Sequence, residues 1–217
     1  MPFSLSRRRG FTLVELMVVI GILGLLVGIL AVAVLPRLKE ARRNSEVINL
    51  GKVTQALELS ANTGRNKTKI RSMGEASGRA FWNGMFKMGL LESEYLNKVV
   101  SLDSKEDDAA DSAAFEKNGT GLTSTNCSYT SPKANAYAET ANLKGSNRTV
   151  LFTYDTRNWD NYGDKGVIVV FSDADTPEFL DFATAEAQFG IGAADWGKPQ
   201  GLIGIKKPFD HTFEEKK

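Results

Sequence analysis

Hydrophobic and polar positions are spread very unevenly along this chain. Met1 to Gly10 form a short basic segment ending in Arg7-Arg8-Arg9-Gly10, and from Phe11 the sequence reads FTLVELMVVIGILGLLVGILAVAVLP. Leu16 to Leu35 is a run of 20 residues without a charge. As a helix rising about 1.5 Å per residue, it matches the roughly 30 Å hydrocarbon core of a bilayer. Charges return after Pro36 (RLKEARRNSEVINLGKVTQALELS), where Leu38, Ala41, Ser45, Ile48, Val53, Ala56 and Leu57 recur at intervals of three and four. That spacing predicts an amphipathic helix with these residues on its packed face and the arginines and lysines on the other. A helix from Thr12 to about Leu59 would be some 70 Å long, half in a membrane and half packed on a domain. Gly51 is a tolerable weak point in it, and Asn62-Thr63-Gly64-Arg65-Asn66 stops it.

The pattern then changes. In SGRAFWNGMFKMGLL, Phe81, Met85, Met88 and Leu91 fall on one helical face with Trp82 and Phe86 beside them. At helical spacing such an aromatic stripe reads as core packing rather than a ligand pocket. SEYLNKVVSLDS reads as a short turn and an extended segment. Lys105 to Asn118, with Glu106, Asp107, Asp108 and Asp111, reads as a solvated loop. Thr149 to Asp155 (TVLFTYD) and Gly166 to Ser172 (GVIVVFS) are β-branched and aromatic runs, and therefore strands, joined by TRNWDNYGDK. Asp173-Ala174-Asp175 makes a turn before PEFLDF, and ATAEAQFG is a short helix. The predicted organisation is a leader at 1–10, a long helix at 11–60 with a transmembrane segment at 11–35, a globular domain at 61–190 and a flexible tail at 191–217. The fold class is α+β, the long helix packed through its amphipathic half on a small antiparallel β-sheet domain.

Composition narrows the function. The formal net charge is +1, and removing Arg7, Arg8 and Arg9 takes it to −2, so nothing suggests a nucleic-acid or other polyanionic partner. Cys127 is the only cysteine, which excludes an intrachain disulfide and reads as a buried small hydrophobe. His211 is the only histidine and lies in the charged tail, so a Cys127–His211 catalytic pair has no orienting partner. Gly190-Ile191-Gly192-Ala193-Ala194-Asp195 lacks the third glycine of a dinucleotide loop and follows a helical pattern. Asp155, Asp160, Asp164, Asp173 and Asp175 are close enough in sequence to converge on calcium, but not at the alternating EF-hand spacing. They read as turn formers. The chain is not expected to be an enzyme, and calcium is the one cofactor left open.

The leader carries the sharper chemistry. A secretory signal has a shorter apolar stretch followed by a small-residue cleavage site; here the chain runs on as PRLKEARRNSE. Three arginines ahead of the apolar run favour a cytoplasmic N-terminus, with everything after Leu35 across the membrane. Glu15 interrupts the run, and an acid at that depth costs a few kcal/mol unless it is paired. A free amino group at Phe11 would supply the partner, and Glu15 of one subunit would reach Phe11 of a neighbour.

Gly10-Phe11-Thr12-Leu13-Val14-Glu15 resembles the class III leader of type IV pilins and type II secretion pseudopilins. The resemblance implies cleavage by a prepilin peptidase between Gly10 and Phe11, N-methylation of Phe11, and an assembly role for Glu15 in neutralising an adjacent N-terminus. It implies helix flexibility around Gly24 and Pro36, although Pro36 stands four residues, about one turn, beyond the usual proline. A strand, an Asp-containing turn, a further strand and a late helix also resemble pseudopilins, without the usual glycine after the aspartate. The implied fold is pilin-like. The implied partners are the peptidase, other pilin or pseudopilin subunits and an inner-membrane assembly platform. The implied location is a single pass through the cytoplasmic membrane, then a pilus or pseudopilus. A type II secretion pseudopilus and a type IV pilus both fit, and the lack of paired C-terminal cysteines leans towards secretion. Two other classes compete: a competence pilin taking part in DNA uptake, which needs a basic patch, and a membrane-tethered enzyme, which needs a catalytic cluster.

Overall fold

The computed structural model describes residues 10–102, 122, 127–145, 148–154, 161–162, 166–173 and 176–189. The chain forms two compact units with the boundary after Ala41. One helix, α1 (Leu13–Ala61), contributes to both. In the first unit every large apolar side chain from Phe11 to Leu38 is exposed, so this helix is apolar all round and has no packed face of its own. It is long and apolar enough to cross a membrane, as the sequence predicts. Gly24 and Pro36 both lie inside it, and the helix runs on past them although a proline removes one backbone hydrogen bond.

In the second unit α1 buries Glu46, Leu50, Gly51, Val53, Thr54, Leu57 and Ala61. This stripe corrects the predicted face. Val53 and Leu57 are inside and Ala56 is half-buried, but Ser45 is exposed and Ile48 is 58% exposed. The prediction phased the stripe on Leu38, Ala41, Ser45 and Ile48 and assumed that charges face water. Phasing it on Glu46 instead gives the observed face, because that acid is satisfied inside the domain. Gly51 has a packing reason, since a Cβ there would lie 3.2 Å from Cδ of Pro177.

α1 ends at Ala61, close to the predicted stop, and Thr63 then caps a helix the sequence reading did not foresee, α2 (Gly64–Ser72). The aromatic segment forms α3 (Arg79–Lys87), which buries Phe81, Trp82, Met85 and Phe86. Beyond it Leu91 is also buried and Met88 half-buried. Ser93–Val99 is a 3-10 helix where a turn and extended segment were expected, and Val100 after it is extended. A single helical turn, α4 (Tyr137–Thr140), is also new.

Three strands, β1 (Val150–Thr153), β2 (Gly166–Phe171) and β3 (Glu178–Asp181), form an antiparallel sheet in that order. Phe152 pairs with Val170 and Ile168 with Phe179, with a register irregularity between Val150 and Phe152. β1 and β2 are wholly buried, as their unbroken apolar runs require, whereas β3 buries only Leu180. Gly166 opens β2 at φ +154°, where a Cβ would sit 2.2 Å from the carbonyl oxygen of Leu180. Only glycine permits that close approach of β2 to β3. α5 (Phe182–Phe189) follows, its first turn held by Asp181, whose carboxylate accepts from Thr184 N (2.8 Å) and Oγ1 (2.6 Å). α1, α3 and the sheet share one core, in which Trp82 lies 4.7 Å from Phe152 between ring centroids. The chain is thus α+β with a long N-terminal helix and a small antiparallel sheet, as predicted.

Candidate functional site

The N-terminal motif is built by the start of α1. Gly10 and Phe11 precede the helix without regular structure, and Phe11 is 87% exposed. Thr12 and Glu15 form a reciprocal cap. Glu15 Oε2 accepts from Thr12 N (2.8 Å) and Thr12 Oγ1 (2.9 Å), while Thr12 Oγ1 accepts from Glu15 N (3.2 Å). This satisfies otherwise orphaned amides at a helix N-terminus and places a negative charge where the helix dipole favours one. Both bonds to the carboxylate use Oε2. Among the described residues Oε1 has no hydrogen-bond partner. The Thr12-x-x-Glu15 spacing is a sequence-level signature of this cap that the sequence reading passed over.

The second unit holds a polar cluster that the sequence reading missed. Glu46 is buried, 1% exposed, and five donors converge on its carboxylate. Oε1 accepts from the hydroxyls of Tyr129 and Tyr154. Oε2 accepts from the Tyr162 hydroxyl (2.6 Å), Ser101 Oγ (3.0 Å) and Leu102 N (3.2 Å). Asn161 Nδ2 donates in turn to Ser101 Oγ at 3.0 Å. Burial, and next the charge of Glu46, hold the Tyr129 phenol well above its ordinary range. Tyr154 is shifted the same way by burial, then by Tyr129 and Glu46. Both therefore remain O–H donors at neutral pH, the form in which a phenol donates to a carboxylate oxygen. The cluster ties α1 to Ser101 and Leu102, to Tyr129, to Tyr154 and to Asn161 and Tyr162, far apart in sequence. Arg43 lies one turn before Glu46, its guanidinium 4.3 Å from the ring centroid of Phe179.

A cleft of about 80 Å³ opens between α1, α2, α4 and the sheet. Its floor is apolar, from Ile70, Leu151 and Phe171, and Glu58 and Lys67 stand at its edge.

The other predicted positions separate in space. Cys127 is buried, with Sγ 3.7 Å from the Tyr129 carbonyl oxygen, as expected of a core thiol. Of the five calcium candidates only Asp173 is described. It accepts from Gly145 N (3.3 Å) and lies 3.9 Å from an Arg148 guanidinium nitrogen. Asp155, Asp160, Asp164, Asp175, the acidic loop at 105–118, Gly190 to Asp195 and His211 lie outside the described residues. Among the described residues no cluster of three or more histidine, cysteine or acidic side chains is placed to hold a metal.

The family model for the prokaryotic N-terminal methylation motif matches residues 5–31. The match covers the basic segment, Gly10, Phe11, Glu15 and most of the apolar run, and it agrees with the prepilin-type leader read from the sequence. No curated protein and no solved structure matches the chain. The chain therefore carries the processing motif of pilin-type proteins on a membrane-length apolar helix.

Proposed function

We propose that this protein is a structural subunit of a type II secretion pseudopilus or a type IV pilus. Prepilin peptidase cuts between Gly10 and Phe11, the new amino group of Phe11 is methylated, and the subunit joins others through its N-terminal helix. The observation that carries this reading is Glu15 on the otherwise apolar, exposed N-terminal part of α1, which the methylation motif covers. One oxygen caps the subunit's own helix while the other is uncommitted, which leaves it able to meet the amino group of a neighbour. Before assembly the helix rests in the cytoplasmic membrane with its N-terminus inside and the globular unit outside, following the arginines. Assembly moves the same apolar surface from lipid to neighbouring helices, with the platform as the site of transfer.

The single, buried Cys127 leaves no C-terminal disulfide loop and favours the secretion pseudopilus of the two systems. Mass spectrometry of the native N-terminus tests processing: the expected chain starts at N-methylated Phe11, and an intact Met1 leader in cells with active peptidase refutes it. Glu15→Gln is expected to be cleaved normally yet excluded from filaments. Normal incorporation of that variant would remove its assembly role.

A further inference from the structure

The cleft between α1, α2 and α4 is independent of the N-terminal motif and of the Glu46 cluster. Its volume, about 80 Å³, is several times the roughly 10–15 Å³ that one water needs, so it admits a small organic molecule. Tyr137 lines it and is only 6% exposed, yet its hydroxyl has no hydrogen-bond partner among the described residues. That hydroxyl is not sealed in the core, where an unpaired oxygen would stand out as Nε of Arg43 does, so it opens onto the cleft. In the open cleft water can pair with this hydroxyl, and a ligand acceptor that displaces the water makes the same bond in a drier site. Burial, and then the Glu58 charge, push its pKa up, which keeps it a neutral donor.

The charges at the edge are complementary and uncommitted. Glu58 lies on α1 and Lys67 on α2, and among the described residues neither makes an ion pair, with each other or with a third group. Thr54, Asn62, Asn142 and Ser172 also line the cleft, and its charged and phenolic groups are one anion, one cation and one phenolic donor, beside the apolar Ile70, Leu151 and Phe171.

We propose that this cleft binds a small zwitterion with a compact apolar group, a free amino acid of the valine or leucine class. The Tyr137 hydroxyl and Lys67 take its carboxylate, Glu58 takes its ammonium, and its side chain covers Ile70 and Phe171. A ligand carrying only one charge would leave one of the two edge groups without a partner.

The test uses the full chain in detergent micelles with ¹³C-labelled isoleucine methyl groups, titrated with L-leucine. The Ile70 methyl resonance is expected to shift saturably with a dissociation constant on the order of millimolar, as befits so few atoms. Two probes separate the charges: 4-methylpentanoate lacks the ammonium, and L-leucinamide lacks the carboxylate. Each is expected to bind about tenfold more weakly. Tyr137→Phe, which keeps the ring, is expected to weaken L-leucine by about tenfold. Glu58→Gln and Lys67→Met touch no core packing. The first should erase the preference for L-leucine over 4-methylpentanoate, and the second the preference over L-leucinamide. No saturable shift by about 50 mM L-leucine, equal binding of either single-charge probe, or unchanged preferences in the two edge variants would overturn the proposal.

Discussion

Glu46→Ala removes the one acceptor on which Tyr129, Tyr154, Tyr162, Ser101 and Leu102 N converge. A buried donor left without a partner costs about 1–3 kcal/mol. At the low end of that range the donors that find no other partner give about 3–5 kcal/mol, to which the lost side-chain volume adds a cavity penalty. Water entering the vacated space can accept from two or three of the hydroxyls, so the expected net loss is about 3–5 kcal/mol. That is a large fraction of the 5–15 kcal/mol that a domain usually possesses. Urea unfolding of the full chain in non-ionic detergent, followed by tryptophan fluorescence, measures it. Trp82 is a good reporter because it is fully buried and its indole N–H donates to Tyr129 O at 3.1 Å.

The control is chemical as well as positional. Replacing Glu46 by leucine together with Tyr129, Tyr154 and Tyr162 by phenylalanine removes acceptor and phenolic donors at once. If unpaired polar groups cause the loss, this quadruple variant is more stable than Glu46→Ala, because no phenol is stranded. A loss below about 0.5 kcal/mol for Glu46→Ala, or a quadruple variant less stable than the single one, would refute the reasoning.

Three further outcomes follow from the geometry. The folded-state pKa values of Tyr129, Tyr137 and Tyr154 all lie above the ordinary 10.0, so the stability linked to them is intact below pH 10 and falls as the pH rises beyond it. Each contributes a slope of about 1.4 kcal/mol per pH unit, and absorbance at 295 nm should show these phenols ionising only as the domain unfolds. Gly166→Ala forces a Cβ to within 2.2 Å of Leu180 O at φ +154° and should cost about 2–4 kcal/mol, read as a lower urea midpoint. Leu50→Ala should cost about 2–5 kcal/mol, whereas Ile48→Ser should stay within about 0.5 kcal/mol, because Leu50 is fully buried and Ile48 is not. The reverse order would restore the helix face predicted from the sequence.

What could be read from the sequence depended on whether the signal was local. The membrane-length helix, the β-branched runs of β1 and β2 and the aromatic face of α3 are each written within one short segment, and all three stand where the sequence predicts them. The stop near Ala61 was legible too, through the Asn-Thr-Gly cluster. α2 was not, because the same Thr63 that closes one helix also caps the next, and GRNKTKIRS holds one apolar residue that becomes buried, Ile70. The packed face of α1 failed for a non-local reason. An acid belongs inside only if donors come to meet it, and those for Glu46 arrive from positions 55 to 116 residues further along. The Tyr137 hydroxyl was illegible in the same way, since a missing partner cannot be read from a string of residues.

Glu15 and Glu46, two of the acids on α1, show why burial and commitment have to be separated. An ionised carboxylate offers about four acceptor sites. At Glu46 five donors use both oxygens, so the group has no capacity left and its effect ends within the domain. At Glu15 two donors share one oxygen, both from Thr12 in the same turn, while the surrounding helix is apolar on every side. In water this remainder would cost nothing, because solvent fills the open sites. Once the apolar run lies in hydrocarbon, an open carboxylate oxygen becomes expensive and its partner must come from a protein or from the interface. Thr12 cannot supply it, since its amide and hydroxyl are already spent on Oε2. On the proposed function, a positive charge at the start of another such helix is the partner that also cancels the formal charge. On that reading Thr12 sets how much of that need remains: Thr12→Val deletes one of the two donors, and should leave cleavage intact while increasing the dependence of filament formation on Glu15.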